Sequence, residues 1–309
     1  MTLTELKYIV AVARERHFGR AAEACFVSQP TLSVAVKKLE EELDVKLFER
    51  GAIEVSVTPL GEQIVRQAQQ VIEQAAAIKE IAKLGKDPVT GPLRLGVIYT
   101  IGPYLLPDLV RQTISRVPQM PLMLQENFTA KLLELLRQGD LDCAILAEPF
   151  PDTGLAVAAL YDEPFVAAVP TTHAMAKRKL ITAEELRSET MLLLGTGHCF
   201  RDHVLEVCPE YARFVSHNSS GEGIRKSFEG SSLETIKYMV ASGMGVTVVP
   251  QLSVPKELQP HIRYVKFADP VPTRRVVLAW RRSYPRYEAI AALRNCIVAC
   301  ALPGVQRLN

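Results

Sequence analysis

The sequence predicts two structural classes in one chain: a small all-α module at the N-terminus, carried on a long helix, and a larger α/β unit behind a hinge. Three observations predict it. Apolar residues recur at helical spacing up to about residue 43. From Ile64 to Ala82 they recur at alternating steps of four and three. Beyond the Gly/Pro-rich stretch 85–92, short apolar runs alternate with helical patterns, which implies a largely parallel sheet.

In the first module, Thr4 or Thr2 caps a helix that buries Leu6, Ile9, Val10 and Ala13. A short second helix, Gly19–Cys25, carries three alanines that permit close helix–helix approach. Residues Phe26–Pro30 form a turn, with Ser28 as the next N-cap and Pro30 tolerated in a first helical turn. The third helix buries Leu32, Val36, Leu39 and Leu43. Its other face shows Gln29, Thr31, Ser33, Val34, Lys37 and Lys38. Short hydrogen-bonding side chains followed by lysines suit entry into the major groove of DNA; an ordinary solvated face carries the same pattern equally well. Val45–Glu49 and Glu54–Val57 read as a hairpin with Arg50 and Gly51 near its tip.

Pro59 opens a long helix to about Leu84. Ile64, Ala68, Val71, Ala75, Ile78 and Ala82 give it a 3.5-residue repeat, the pattern of a seam between two copies. Past the hinge, Leu93–Val97, Leu122–Gln125 and Leu141–Leu146 read as strands, with Leu105–Val117 and Lys131–Gln138 as helices between them. Phe165–Pro170 reads as a crossover into a second lobe. That lobe continues through Met191–Leu194, a helix capped by Ser231 and Glu234, and Val246–Pro250. Val276–Trp280 and Tyr287–Cys300 return to the first lobe. Ligands of such a sheet are expected at the carboxyl ends of its strands.

Composition narrows the class. The chain has 309 residues, 48% hydrophobic and 23% charged, as in a soluble globular protein. No apolar run reaches the roughly 18–20 residues of a membrane span, and the first residues lack the basic-then-apolar pattern of a signal peptide. Six cysteines are too few for a disulfide scaffold, so a reducing cytoplasm is expected, where a disulfide is transient. Net charge is no guide to nucleic acid: +2 overall, and eight Lys/Arg against nine Asp/Glu in residues 1–58.

The stretch Gly197-His198-Cys199-Phe200-Arg201-Asp202 with Cys208 is the most informative chemistry. Cys199 and Cys208 are nine positions apart, with helix formers between them and Pro209 as a stop. A continuous helix separates their Cα atoms by roughly 13–14 Å. A disulfide tolerates at most about 7 Å, so bonding requires the segment to lose its helix.

Phe18-x-x-Ala21-Ala22, Val27-Ser28-Gln29-Pro30-Thr31-Leu32-Ser33, Leu39-Glu40, Leu43, Leu47-Phe48-x-Arg50 and Thr58-Pro59-Leu60-Gly61 together resemble the LysR-type regulators. Asp44 stands where members of that family carry Gly. The resemblance covers essentially the whole chain. It implies a winged helix-turn-helix over residues 1–58, a dimerisation helix over 59–84, a hinge over 85–92 and a two-lobed effector domain over 93–303. That domain is expected to resemble periplasmic binding proteins, with lobe I at 93–164 and 269–303 and lobe II at 165–268. The implied DNA contacts come from Arg20, Ser28, Gln29, Pro30, Thr31, Ser33, Val34, Lys37, Lys38 and Arg50.

Within the family, the cysteine stretch, Gly102-Pro103-Tyr104-Leu105-Leu106-Pro107 and Leu141-Asp142-Cys143 resemble the peroxide-sensing members. That resemblance implies that Cys199 is oxidised to a sulfenic acid and that Cys208 resolves it to a disulfide. From the residues themselves, Arg201 is expected to add positive charge, His198 to stabilise the thiolate or hold the peroxide, and Asp202 to relay a proton to the leaving hydroxide; the resemblance adds Thr100 and Thr129 as hydroxyl partners of the bound peroxide. Each residue has a plainer reading. Cys199 is a small buried hydrophobe, Cys208 an inert core thiol, Arg201 and Asp202 a surface pair, and the threonines caps or turn residues. Cys25 and Cys143 read as core. Cys296 and Cys300, four apart, lack nearby ligand partners, so neither metal nor cofactor is expected. The expected partners are double-stranded operator DNA, a second copy and a tetramer, hydrogen peroxide and RNA polymerase, with no membrane. Two other readings stand beside this one: a regulator gated by a small molecule in the inter-lobe cleft, and a thiol peroxidase with an attached DNA module.

Overall fold

The structure is a computed structural model that describes residues 1–50, 55–83, 89–151, 154–211, 227–230 and 232–308. The chain divides into two compact units, Met1–Lys86 and Asp87–Asn309. No described helix is long and apolar enough to cross a membrane.

The first unit contains α1 (Leu3–Glu15), α2 (Phe18–Ala24), α3 (Gln29–Leu43), β1 (Phe48–Arg50), β2 (Val55–Val57) and α4 (Pro59–Lys83). Thr2 caps α1 in a capping box with Glu5, so of the two candidate caps the earlier one serves. His17 caps α2 through Nδ1, which accepts from the amides of Gly19 and Arg20. Ser28 caps α3 by accepting from the amide of Thr31. Leu6, Ile9, Val12, Ala21, Ala22, Leu32, Val36, Leu39 and Leu47 form the core between these helices. Cys25 is the C-cap of α2 and is only half-buried, rather than a core residue of that helix.

The hairpin is shorter than expected: Val45–Leu47 lies outside the strands, and the tip at 51–54 lies outside the described residues. Asp44 ends α3 in the left-handed region at φ 50°, a conformation glycine reaches without strain and aspartate tolerates. The turn into the hairpin is therefore kept without the glycine. Gly61 explains the Thr58–Gly61 motif, because a Cβ there would lie 2.3 Å from the Leu47 carbonyl oxygen.

The apolar stripe of α4 is divided. Ala68 is buried and Ile64, Val65 and Ile72 pack on the module's own core, while Val71 and Ile78 are 38% and 67% exposed. Only the later part of the predicted seam is open to a second copy; the side chain at position 82 lies outside the described residues.

The second unit is a mixed sheet with helices. It comprises β3 (Leu93–Ile98), α5 (Gly102–Arg116), β4 (Leu122–Asn127), α6 (Thr129–Gln138), β5 (Cys143–Ala147) and β6 (Leu155–Pro170). Then follow β7 (Leu180–Ile181), β8 (Met191–Leu194), α7 (Cys199–Val207), β9 (Ser227–Gly230), α8 (Leu233–Ala241) and β10 (Thr247–Pro250). The chain closes with β11 (Ile262–Phe267), β12 (Thr273–Arg281), α9 (Tyr287–Val298) and β13 (Gln306–Arg307). The large sheet runs β4-β3-β5-β12-β6-β11-β7, with β10 and β13 also on β6.

β3, β4 and β5 form the expected parallel set, β7 runs parallel to β11, and β8 runs parallel to β9 in a separate two-stranded sheet. The returning β12 inserts antiparallel between β5 and β6, so the sheet is mixed rather than largely parallel. The reason is the chain's route: β12 arrives from the second lobe and runs back against two strands that left the first. β6 spans both lobes. Its first part pairs with β12, and from Phe165 onward it pairs with β10 and β11. Two apolar cores result, one holding Leu95, Leu105, Leu132, Ile145 and Leu278, the other Phe165, Leu193, Phe200, Val204 and Cys208. The α8 cap is Ser232, whose side chain accepts from the amide of Thr235; the expected cap Ser231 lies outside the described residues. Glu234 instead accepts from the Tyr104 hydroxyl and from Lys237.

Candidate functional site

Three chain-distant segments meet at one small cavity in the second unit. They are Ile98-Tyr99-Thr100 at the end of β3, Asn127-Phe128-Thr129 between β4 and α6, and Gly197-His198-Cys199 between β8 and α7. Two of the three are carboxyl ends of parallel strands, where the fold rule places ligands. The cavity offers about 10 Å³ to the centre of a water molecule, room for a single water-sized guest.

Each wall follows from local sequence. Cys199 is the first residue of α7, with His198 as its N-cap, and neither α7 nor α6 has a side-chain cap. The amides of both first turns therefore lack a capping side chain at the cavity, and two helix dipoles present their positive ends to it. This favours negative charge on an oxygen held beside the Cys199 sulfur. Gly197 reaches φ 101°, and a Cβ there would sit 3.4 Å from the Phe128 ring, so the loop closes against that ring. The rings of Tyr99, Phe128 and His198 pack together at centroid distances of 5.2, 4.8 and 5.9 Å.

The two threonines differ. Thr100 is buried, and its hydroxyl oxygen accepts from Arg274 Nη1 at 2.8 Å while its carbonyl accepts from Nη2 at 3.0 Å. This leaves the Thr100 hydrogen free to point elsewhere. The Thr129 hydroxyl is buried with no hydrogen-bond partner among the described residues. Arg274 is itself buried beneath the site. It donates through Nε to Glu163 at 2.9 Å and lies 5.1 Å from the Phe200 ring, one residue from Cys199. Glu163 also accepts from the Leu252 amide. Sequence reading missed this pair. The available signal was a carboxylate inside the apolar run 155–170 and an arginine entering another.

Other expectations are redrawn. Arg201 is buried, donates to the Leu194 carbonyl at 2.9 Å, and is not part of the cavity lining. Asp202 is exposed and also outside the lining. Asp202 lies three positions after Cys199, on the same face of α7, and Arg201 lies two positions after it, on the opposite side of the helix. Cys208 caps the far end of α7 and is fully buried in the second core; burial pushes its thiol up to about 12. His203, between the cysteines, donates through Nε2 to the Glu148 carbonyl at 2.7 Å, and burial lowers its pKa, so it stays neutral.

In the first unit, Ser28, Gln29, Pro30, Thr31, Val34, Lys37 and Lys38 are exposed along α3, and Ser33 is half-buried. The Ser28 and Thr31 hydroxyls bond each other at 2.7 Å. Lys37 lies 3.6 Å from the exposed Glu41, a pair of the weak solvated kind, and the exposed Lys38 lies 3.8 Å from the buried Glu5. Arg20 donates to the Glu15 carbonyl. Arg50 ends β1, and its side chain lies outside the described set. Among the described residues no group of His, Cys, Asp and Glu is arranged to hold a metal.

The family model for the bacterial regulatory helix-turn-helix protein of the lysR family matches residues 3–62, and that for the LysR substrate binding domain matches residues 86–300. The chain is 38% identical over 295 residues to the DNA-binding transcriptional dual regulator OxyR of Escherichia coli K12, covering 94% of each. It resembles the structure of a full-length mutant OxyR from Pseudomonas aeruginosa at 49% identity and TM-score 0.74, covering 97% of this chain and 96% of that one. A hydrogen peroxide-bound mutant OxyR from Corynebacterium glutamicum is 33% identical with TM-score 0.63, covering 96% and 92%.

Proposed function

Since this chain belongs to the LysR family of bacterial regulatory helix-turn-helix proteins, we propose that it is a DNA-binding transcription regulator that responds to hydrogen peroxide through Cys199. The observation that carries the reading is the water-sized cavity that joins Cys199 and His198 to the hydroxyls of Thr100 and Thr129. Its lining, a thiol beside an imidazole and two hydroxyls, is the donor set that a small polar oxidant would meet.

The chemistry balances in two steps. The Cys199 thiolate attacks one peroxide oxygen, the O–O bond breaks, and the departing hydroxide takes a proton to become water. Cys199 is left as a sulfenic acid. The Cys208 thiolate then attacks that sulfur, the S–S bond forms, the S–O bond breaks and a second water leaves. Two thiols are oxidised and one peroxide is reduced. Thr100 and Thr129 orient the peroxide, and the first-turn amides of α6 and α7 stabilise the charge that develops on the leaving oxygen. Because α7 holds the sulfurs at its two ends, closure of the disulfide melts it and repacks the second core.

The division of labour follows the sequence. Residues 1–58 bind operator DNA through α3 and the hairpin, 59–84 pair two copies, and 93–303 sense peroxide. Two such dimers form a tetramer that acts on RNA polymerase in the cytoplasm.

The test is peptide mass mapping and DNA footprinting before and after one equivalent of peroxide. A Cys199–Cys208 crosslink with an altered footprint supports the proposal, and neither change rejects it. Sustained turnover of peroxide with a reductant would identify a thiol peroxidase instead. A second reading has its own observation: a larger cavity of about 380 Å³ adjoins the first, bounded by Tyr104, Glu126 and Glu234. A regulator gated by a ligand there keeps its response after Cys199→Ser, whereas a peroxide sensor does not.

Two further outcomes are expected. Thr129→Val removes an unsatisfied hydroxyl, so stability should change by less than about 1 kcal/mol while sulfenic acid formation slows about tenfold. Unchanged kinetics in a rapid-mixing assay would remove Thr129 from the site. His203→Leu removes the hydrogen bond that ties α7 to Glu148, worth about 1 kcal/mol, so the crosslink should form about fivefold faster. A slower crosslink would show that His203 does not restrain the helix.

A further inference from the structure

We propose that Phe26 is a DNA-contacting side chain, its ring packing on an apolar surface of the operator, either a deoxyribose face or a thymine methyl. The inference rests on the DNA-binding reading above and adds a residue to it.

Phe26 is 96% exposed and sits at φ 56°. It closes α2 in a Schellman arrangement: the Phe26 amide donates to the Glu23 carbonyl and the Val27 amide to the Ala22 carbonyl, each at 3.0 Å. Glycine or asparagine is the usual occupant of that position, because a side chain in the left-handed region is strained. The fold gains nothing from a phenyl group here, since it is almost wholly in water. Two other non-glycine residues of this unit have positive φ, Arg16 and Asp44, and both have charged side chains that water solvates well. Phe26 alone among the three combines strain with an exposed apolar ring.

Its place gives the ring a use. Phe26 lies two residues before the α3 cap Ser28, and the exposed Gln29, Pro30 and Thr31 follow directly. A protein-docking surface calls for a contiguous apolar patch. Phe26 is the single large exposed hydrophobic between Leu3 and Val34, and the exposed polar Ser28, Gln29 and Thr31 follow it, which matches the mixed surface of DNA, where phenylalanine contacts thymine methyls.

The experiment compares the full-length protein with Phe26→Gly, using duplexes selected from a random pool by the unsubstituted chain. Phe26→Gly should keep or raise the unfolding midpoint by about 2–4 °C and weaken duplex binding at least fivefold. Replacing thymidine with deoxyuridine, site by site, separates the two surfaces. If the ring meets a methyl, one substitution weakens the unsubstituted chain and leaves the variant unaffected; if it meets a sugar, no substitution distinguishes them while the fivefold loss persists. Binding by Phe26→Gly equal to the unsubstituted chain overturns the inference and leaves the DNA-binding reading intact. Loss of self-association or of polymerase binding, with duplex binding unchanged, overturns it in favour of a protein contact. Failure of the unsubstituted chain to select any duplex overturns the DNA-binding reading itself.

Discussion

Treated with one equivalent of peroxide, a Cys208→Ser variant is expected to stop at a sulfenic acid on Cys199, with no crosslink and no change of footprint. The order of events follows from where the thiols sit. Cys199 is partly buried at the positive end of α7 and lines the cavity. Cys208 is fully buried with its pKa pushed up to about 12, mainly by desolvation, so at neutral pH only about one molecule in 10⁵ is thiolate there. It cannot be the first nucleophile. Released from the core, it returns to about 8.5 and becomes a competent one.

The same shift sets a pH dependence. A thiol whose pKa is raised by folding stabilises the folded helix fully below about 8.5, and that stabilisation is lost as pH rises toward 12. With α7 opening as a rapid pre-equilibrium, the population of open thiolate rises about tenfold per pH unit, and continues past 8.5 because the closed form is still protonated. Resolution of a preformed sulfenic acid should therefore show no plateau near 8.5 when followed by quenched mass spectrometry. A plateau there would mean that Cys208 is already accessible before the sulfenic acid reacts.

Glu163→Ala is expected to destabilise the second unit by about 3–5 kcal/mol, measured by denaturant unfolding. It leaves the Arg274 guanidinium buried without its carboxylate. For a domain whose total stability is about 5–15 kcal/mol, that is a large fraction. The pair also carries the Leu252 amide and the Thr100 hydroxyl, so its loss reaches the cavity wall. A double variant, Glu163→Leu with Arg274→Met, removes both charges and should recover most of the stability. Thr100 then loses the donor that orients it, and sulfenic acid formation should stay slow. A double variant that reacts as fast as the unsubstituted chain would show that Arg274 serves the fold alone. A Glu163→Ala protein of full stability would show that the buried charge is compensated elsewhere.

Much of the site was legible locally. The α7 boundaries, Cys199 at its start and Cys208 at its end, follow from helix formers bounded by a glycine-containing turn and a proline. The inward positions of α3 follow from steps of four and three. The burial of Arg201 and its hydrogen bond to the Leu194 carbonyl were not legible, because that partner belongs to a strand outside the helix. The α4 stripe read as one seam, yet its first half is used within its own module, and periodicity alone does not say which neighbour covers an apolar face.

By itself, the sequence determined the helices, the caps of α1 and α3, the family, and a cysteine spacing that helix geometry makes incompatible with a bond. Those are short-range consequences of backbone sterics, propensity and period. Only the tertiary structure decided that residues 98–100, 127–129 and 197–199 converge on one small cavity, that Arg274 and Glu163 lie buried under it, and that β12 turns a parallel sheet into a mixed one. Such contacts join segments far apart in the chain. They are chosen by which apolar faces bury one another and which buried polar groups find partners, and no local pattern encodes that choice.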